Sequence, residues 1–267
     1  MMISESQQKY YREKYNPDGS RLRCLQLGML EILKYIDKVC SENNISYWLS
    51  SGTCLGAVRH GGFIPWDDDV DIEMLRPDYE KLLRVLSHTE GDYCLQTNSN
   101  DPYFIYDFGK LRNPKIAFDE SLPLAKYYTH KGVFVDIFKL EESNSEKLHY
   151  ICGRLRTLEF HILNWSASRC KFLVKPAMML HKWNDVLFSL IRLLDRIGNK
   201  DRLRHTLGVT FTKARSYKDI FPLRRVRFEN VDLPIPNSYD NYLSKMYGDY
   251  NKIVIGPSHL IVSDNCD

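Results

Sequence analysis

At 267 residues, 43% of them apolar, the chain can bury one sizeable core, or a core with a smaller lobe. No apolar run approaches the roughly 18 residues that a membrane span needs, which excludes a transmembrane helix. Seven cysteines, an odd number with no C-x-x-C pair, argue against a disulfide framework and against a zinc site.

The polar N-terminal stretch MMISESQQKYYREKY has no apolar h-region, so no signal peptide is expected. Asp18-Gly19-Ser20 caps a predicted helix whose Leu22, Leu25, Met29, Ile32, Ile36 and Val39 step by three and four, ending near Glu42-Asn43-Asn44. Cys24 and Cys40 fall on this helix and Cys54 in the turn that follows, where core or neutral roles are the default. Ile45 to Leu49 reads as a short strand, and Ser50-Ser51-Gly52-Thr53 then turns into about one helical turn from Cys54 to Arg59. Strands are predicted at 69–75, 93–97, 103–111 and 132–138, with a helix at 78–87. Beyond Ser143 the pattern becomes helical. Leu148, Ile151, Leu155, Leu158, Ile162 and Trp165 mark one helix, and Leu180, Trp183, Leu187, Leu190, Leu194 and Ile197 another. Trp165, Trp183 and Phe188 stand at core spacing and are expected inside. The reading is α+β (α/β): a mixed β-sheet flanked by helices over residues 1–142, and a mostly helical, basic part over 143–267 packed on it.

Chemistry concentrates in YWLSSGTCLGAVRHGGFIPWDDDVDIEM, residues 47–74. From Asp69 the run D-V-D-I-E-M alternates acid and apolar, the period of a strand with one buried face. Asp69 and Asp71 then share one side, about 7 Å apart, and repel unless a cation lies between them. Oxygen-only ligands suit Mg²⁺ or Mn²⁺. A calcium loop is disfavoured because Ile72 and Asp78 stand where Gly and Glu are required. A merely solvated acidic turn would leave Ile64, Pro65 and Trp66 beside it unexplained. Asp136 is the lone acid in the apolar run GVFVDIF, where an uncompensated carboxylate costs several kcal/mol; beside Asp69 and Asp71 it would complete a three-carboxylate site. The Gly52-Thr53 turn offers backbone amides to an anion at a helix start.

Taken together, LSSGTCLGAVRHGGFIPWDDDVDI, FGKLRN (108–113), GVFVDIF (132–138) and YLSKMYGDY (242–250) resemble the LicD family of bacterial phosphocholine transferases, distantly related to the fukutin-type ribitol-phosphate transferases. The resemblance implies a nucleotidyltransferase fold in which Asp69, Asp71 and Asp136 hold Mg²⁺ or Mn²⁺. One of the three, Asp136 in preference to His60, would take the proton of the acceptor hydroxyl. It also implies that Gly52 and Thr53 contact donor phosphate, that Arg59 and His60 contact substrate, and that Lys110 and Arg112 neutralise the diphosphate, while Asp67, Asp68 and Trp66 shape the loop around the site. The segment FKLEE at 138–142 departs from the family pattern in lacking a Pro and an Asp. The implied reaction moves phosphocholine, or a related phospho-alcohol group, from a CDP-linked donor such as CDP-choline to a hydroxyl of lipopolysaccharide, teichoic acid or capsule, releasing CMP. A cage for a quaternary ammonium could draw on Tyr103, Phe104, Tyr106, Tyr127 or Tyr128.

Charge divides along the chain. Residues 1–140 carry 17 basic and 20 acidic side chains, residues 147–227 carry 18 and 5. The basic half favours an acidic partner, here a lipid-linked glycan acceptor or an anionic membrane touched from the cytoplasmic side; no nucleic acid is expected, because a nucleic-acid module would leave the buried acids unexplained. A family A glycosyltransferase, which also uses an Asp-x-Asp, normally places a longer nucleotide-binding half before that motif.

Overall fold

The computed structural model describes residues 3–88, 91–143, 145–195 and 202–255. A helix that the sequence reading did not assign, α1 (Glu5–Tyr15), starts on a reciprocal capping box between Ser4 and Gln7. Next comes α2 (Arg21–Glu42), begun by the Ser20 hydroxyl accepting from the Arg23 N–H. Its stripe of Leu25, Met29, Ile32 and Ile36 is sealed in the core. The chain continues through β1 (Trp48–Leu49), α3 (Ser51–His60), β2 (Asp71–Leu75), α4 (Arg76–His88), β3 (Cys94–Gln96), β4 (Gly109–Asn113) and β5 (Val133–Glu142).

These strands form a mixed sheet in the order β1-β2-β5-β4-β3, with β2 parallel to β5 and the other neighbours antiparallel. Val70, Ile72, Met74, Val135 and Ile137 fill one face of its centre, joined in a single core with the α2 stripe. This is the mixed α/β architecture that the hydrophobic pattern predicts.

Past residue 143 the chain is less purely helical than expected. It forms α5 (Glu146–Arg169) and α6 (Val174–Asp195), then β6 (Arg202–His205), β7 (Arg215–Ser216), α7 (Tyr217–Ile220), the hairpin β8 (Arg224–Phe228) and β9 (Val231–Ile235), and α8 (Tyr239–Tyr247). Leu140 opposes Leu75 on one side and His205 on the other, so β6 takes over the edge of β5 that β4 leaves, and β7 pairs with β6.

Three further expectations need correction. The strand read at 103–111 begins only at Gly109, because Phe104 and Ile105 turn into a separate cluster with Leu124, Tyr128, Leu163 and Ala167. β5 runs on through FKLEE to Glu142, past the end of the strand predicted at 132–138. A carboxylate is tolerated there because Glu141 is held by Arg76 at 2.8 Å and Arg192 at 3.0 Å. Trp165 and Trp183 are not inside: they are 55% and 70% exposed, and only Phe188 is buried. Helical spacing shows that a face exists, not that anything covers it. Ile197, read as part of the last long helix, lies outside the described residues.

Candidate active site

Strand register assembles the chemistry. Asp71 stands opposite Asp136 across the parallel β2-β5 pair, and Lys110 stands opposite Asp136 across β4-β5. Paired residues project to the same side of a sheet, so two carboxylates and an ammonium lie side by side on three adjacent strands. Val70 and Ile72, of opposite parity, are fully buried on the other face. The Lys110 ammonium sits 3.0 Å from Asp136 Oδ1, 3.9 Å from Glu120 Oε2 and 3.1 Å from the centre of the Phe134 ring; it is buried, not a solvated strand lysine.

Asp69 lies in the extended approach to β2, which begins two residues later than predicted. Asp67, Asp68 and Asp69 each bring a carboxylate oxygen within 4.8 Å of the others. Asp67, expected to shape the loop around the site, thus lies beside Asp69 itself. A methyl group added to Gly52 would meet Asp67 Oδ2 at 3.0 Å, so the absence of a side chain there lets the start of α3 sit against the acids. The Thr53 hydroxyl accepts from the Asp71 N–H at 2.9 Å, tying that helix start to β2.

The acids destabilise one another as anions. Burial pushes Asp71 well above the usual carboxylate range, and Asp69, Asp136, Asp67 and Glu73 add to it. Asp67 is raised in the same way, first by burial and then by Asp69 and Asp68. Asp136 is raised to about 6 by burial, which Lys110 only partly offsets and to which Asp69 and Glu120 contribute. Its Oδ1 is sealed from solvent and, apart from the Lys110 ammonium, has no hydrogen-bond partner. A half-buried group of carboxylate oxygens with excess negative charge fits a hard divalent cation such as Mg²⁺ or Mn²⁺.

Other residues expected to touch substrate are otherwise occupied. Arg112 is fully buried, donating to Gln96, Gly132 and Glu120 at 2.6, 2.9 and 2.6 Å. It braces β4 and cannot face a diphosphate. Arg59 donates to the Tyr250 and Lys252 carbonyls and to His60 Nε2. His60 meets Gln8 of α1 at 2.6 Å, and burial, helped by Arg59, lowers its pKa to about 3. These two side chains clamp α1 and the C-terminal motif onto α3. Trp66 packs edge-on against Tyr11, Tyr15 and His60, closing the loop from outside. Asp68 is buried.

One group was not singled out from the sequence. Glu73, the third acid of the D-V-D-I-E alternation, is fully buried and binds Arg215, His205, Trp48 and Tyr242. Burial alone would raise its carboxyl, yet Arg215 and His205 hold it well below the usual range. Tyr242, from the C-terminal motif, also reaches the Ser50 hydroxyl and the Ser51 N–H. Parity with Asp71 was the available signal for Glu73; its partners come from strands that local pattern does not bring together.

A cavity of about 530 Å³ opens beside Asp71 and Ser51, walled by Tyr106, Phe108, Phe138, Phe160 and Phe211, with Arg156, His161 and His205 among its polar groups. Of the five aromatics considered for a cage, only Tyr106 reaches it. Phe104 and Tyr128 belong to the core, and Tyr103 stacks on Tyr127.

Residues 44–161 match the family described as LicD/FKTN/FKRP, nucleotidyltransferase domain. Over 248 residues the chain is 29% identical to the lipopolysaccharide cholinephosphotransferase LicD of Haemophilus influenzae, covering 87% of this chain and 92% of that protein. Shorter likenesses reach the human ribitol 5-phosphate transferase FKRP, 32% over 77 residues, and the mouse ribitol-5-phosphate transferase FKTN, 42% over 108 residues. These cover 29% and 40% of this chain but only 14% and 20% of those proteins.

Proposed function

The chain belongs to the LicD family through its residues 44–161, and from that premise we propose that it transfers a substituted phosphate group to a hydroxyl of a cell-surface glycan. In the fuller form of this reading the group is phosphocholine or a related phospho-alcohol, the donor is CDP-linked and CMP leaves. The observation that carries it is the alignment of Asp71, Asp136 and Lys110 across three strands, with Asp71 lining an aromatic cavity.

Asp69, Asp71 and Asp136 would hold Mg²⁺ or Mn²⁺, with Asp67 near enough to join them. When bound, the ion would screen the negative charge of the donor phosphates. The amides of Gly52 and Thr53 at the start of α3 point their partial positive charge at the same phosphates. Lys110, fixed between Asp136 and Glu120, faces the charge that grows on the leaving CMP. The acceptor oxygen attacks phosphorus as the P–O bond to CMP breaks, and its proton passes to a carboxylate oxygen of Asp136. Tyr106, Phe108, Phe138 and Phe160 present ring faces and edges to the cavity, a surface that suits a quaternary ammonium.

Incubation with CDP-choline, CDP-ethanolamine and CDP-ribitol in the presence of Mg²⁺, with CMP followed by mass spectrometry, tests this. Release of CMP from one donor is the expected result. Release of UDP from UDP-sugars, with no CMP from any donor, would replace it with the glycosyltransferase reading.

A further inference from the structure

The α5–α6 hairpin inverts the usual arrangement of a surface helix pair. Its inward side is ionic: Arg156 binds Asp107, Glu159 and Asp185, and His181 binds Glu159. Its outward side is apolar. Of the twenty exposed large hydrophobic side chains among the described residues, fourteen lie between Tyr150 and Leu193, including Leu158, Trp165, Phe172, Met179, Trp183 and Leu190. An apolar surface of this extent on a water-facing helix pair marks an interaction site. Between Tyr150 and Leu193 the exposed charged residues are all cations, Arg154, Arg169, Lys171, Lys175 and Lys182, while the acids Glu159 and Asp185 are turned to Arg156; at the start of α5, Glu146 is the one exposed acid of the pair.

We propose that this outer face docks on an anionic lipid bilayer, with the hairpin lying in the interface. The charge pattern selects the occupant. A second copy of the chain, paired about a two-fold axis, would set five exposed cations against the same five, with Glu146 at the start of α5 the one exposed acid on either helix to receive them. A bilayer rich in anionic headgroups answers both the cations and the apolar stripes, and exposed tryptophans favour its interfacial layer. No helix among the described residues is long and apolar enough to cross the membrane, so the hairpin rests on it. The inner side of α5 supplies Arg156, Thr157 and Phe160 to the cavity beside Asp71. Docking would therefore hold that cavity at the lipid–water boundary, where a lipid-linked glycan presents its hydroxyls. This last consequence rests on the transfer reading; the docking does not.

The test is sedimentation of the full chain with vesicles of phosphatidylglycerol and phosphatidylcholine in equal parts, against phosphatidylcholine alone, together with intrinsic fluorescence. Of the four tryptophans, Trp165 and Trp183 are exposed and Trp48 is buried, so binding should shift emission to the blue. The double variant Trp183→Ser with Leu187→Ser, both at exposed positions, should keep the fold and weaken vesicle binding about tenfold or more. The pair Lys171→Glu with Lys175→Glu should remove the preference for anionic vesicles. Absence of sedimentation and of a blue shift with anionic vesicles overturns the proposal. So does a dimer seen by light scattering that Trp183→Ser dissolves, which would give the face to a second copy. CMP release is measured separately on a soluble donor without vesicles: binding without release overturns the transfer reading alone, and release without binding overturns the docking alone.

Discussion

Asp71 is the residue at which stability and chemistry pull apart. It is enclosed with Asp69, Asp136 and Asp67 around it, every one of which opposes its ionisation, so its charge is tolerated at a loss in the metal-free chain. Asp71→Asn removes that charge while keeping the shape. We predict a metal-free protein more stable at pH 7 by about 1–2 kcal/mol in urea unfolding, with transfer reduced about a hundredfold or more. Loss of activity with loss of stability would instead make Asp71 a structural residue. Asp136 behaves differently because it has a cation. Asp136→Asn leaves the buried Lys110 with only Glu120 at 3.9 Å, so no gain in stability is expected, while turnover should fall about 10²–10⁴-fold if it is the base.

At the level of elements, the strand carrying the acids was legible because alternation at period two is local, and so were α2, α4 and β3. What escaped was decided by distant partners. Tyr103 to Phe108 is rich in aromatics like a strand, yet those side chains are claimed by α5 and the segment around Leu124. Glu141 reads as a loop until Arg76 and Arg192 arrive from two other helices. That Asp69, Asp71 and Asp136 lie near one another was legible from their strands, but the surroundings of Arg59, His60 and Arg112 were not, since no spacing rule reveals that an arginine spends its donors on carbonyls. The glycines of α3 do have a readable consequence. A methyl on Gly56 would lie 2.5 Å from the Gly62 carbonyl oxygen, a backbone atom that cannot move aside, so Gly56→Ala should push the helix off the acid loop. We expect a loss of about 1–3 kcal/mol, measured by chemical denaturation. Glu73→Gln strikes a junction of β1, β2, β6, β7 and α8, leaving the buried Arg215 without its counter-charge. A loss of about 3–5 kcal/mol is expected; a change below about 1 kcal/mol would show that the junction is dispensable.

For the molecule as a whole, the buried carboxylates pull the pH dependence of stability in opposite directions. Glu73 is held low by Arg215 and His205, so its contribution is present above the ordinary carboxylate range and is lost as pH falls. Asp136 is raised to about 6. The folded chain therefore binds more protons than the unfolded one between about pH 4 and pH 6, and its stability falls as pH rises through that window. Asp71 and Asp67, also raised well above the usual carboxylate range, add to this decline. The metal-free protein should accordingly be less stable at pH 7 than near pH 5. A divalent ion that binds only the folded, deprotonated cluster acts against this decline, because binding at a hundred times its dissociation constant adds about 2.7 kcal/mol. For a chain of this size that corresponds to a rise of about 5–10 °C in Tm. Thermal unfolding at pH 7 with Mg²⁺ or Mn²⁺, and again with excess EDTA, should show that difference in the wild type and little of it in Asp71→Asn. Equal Tm values with and without either ion in the wild type would leave the acids without the cation proposed for them, and the metal-dependent mechanism would fall with it.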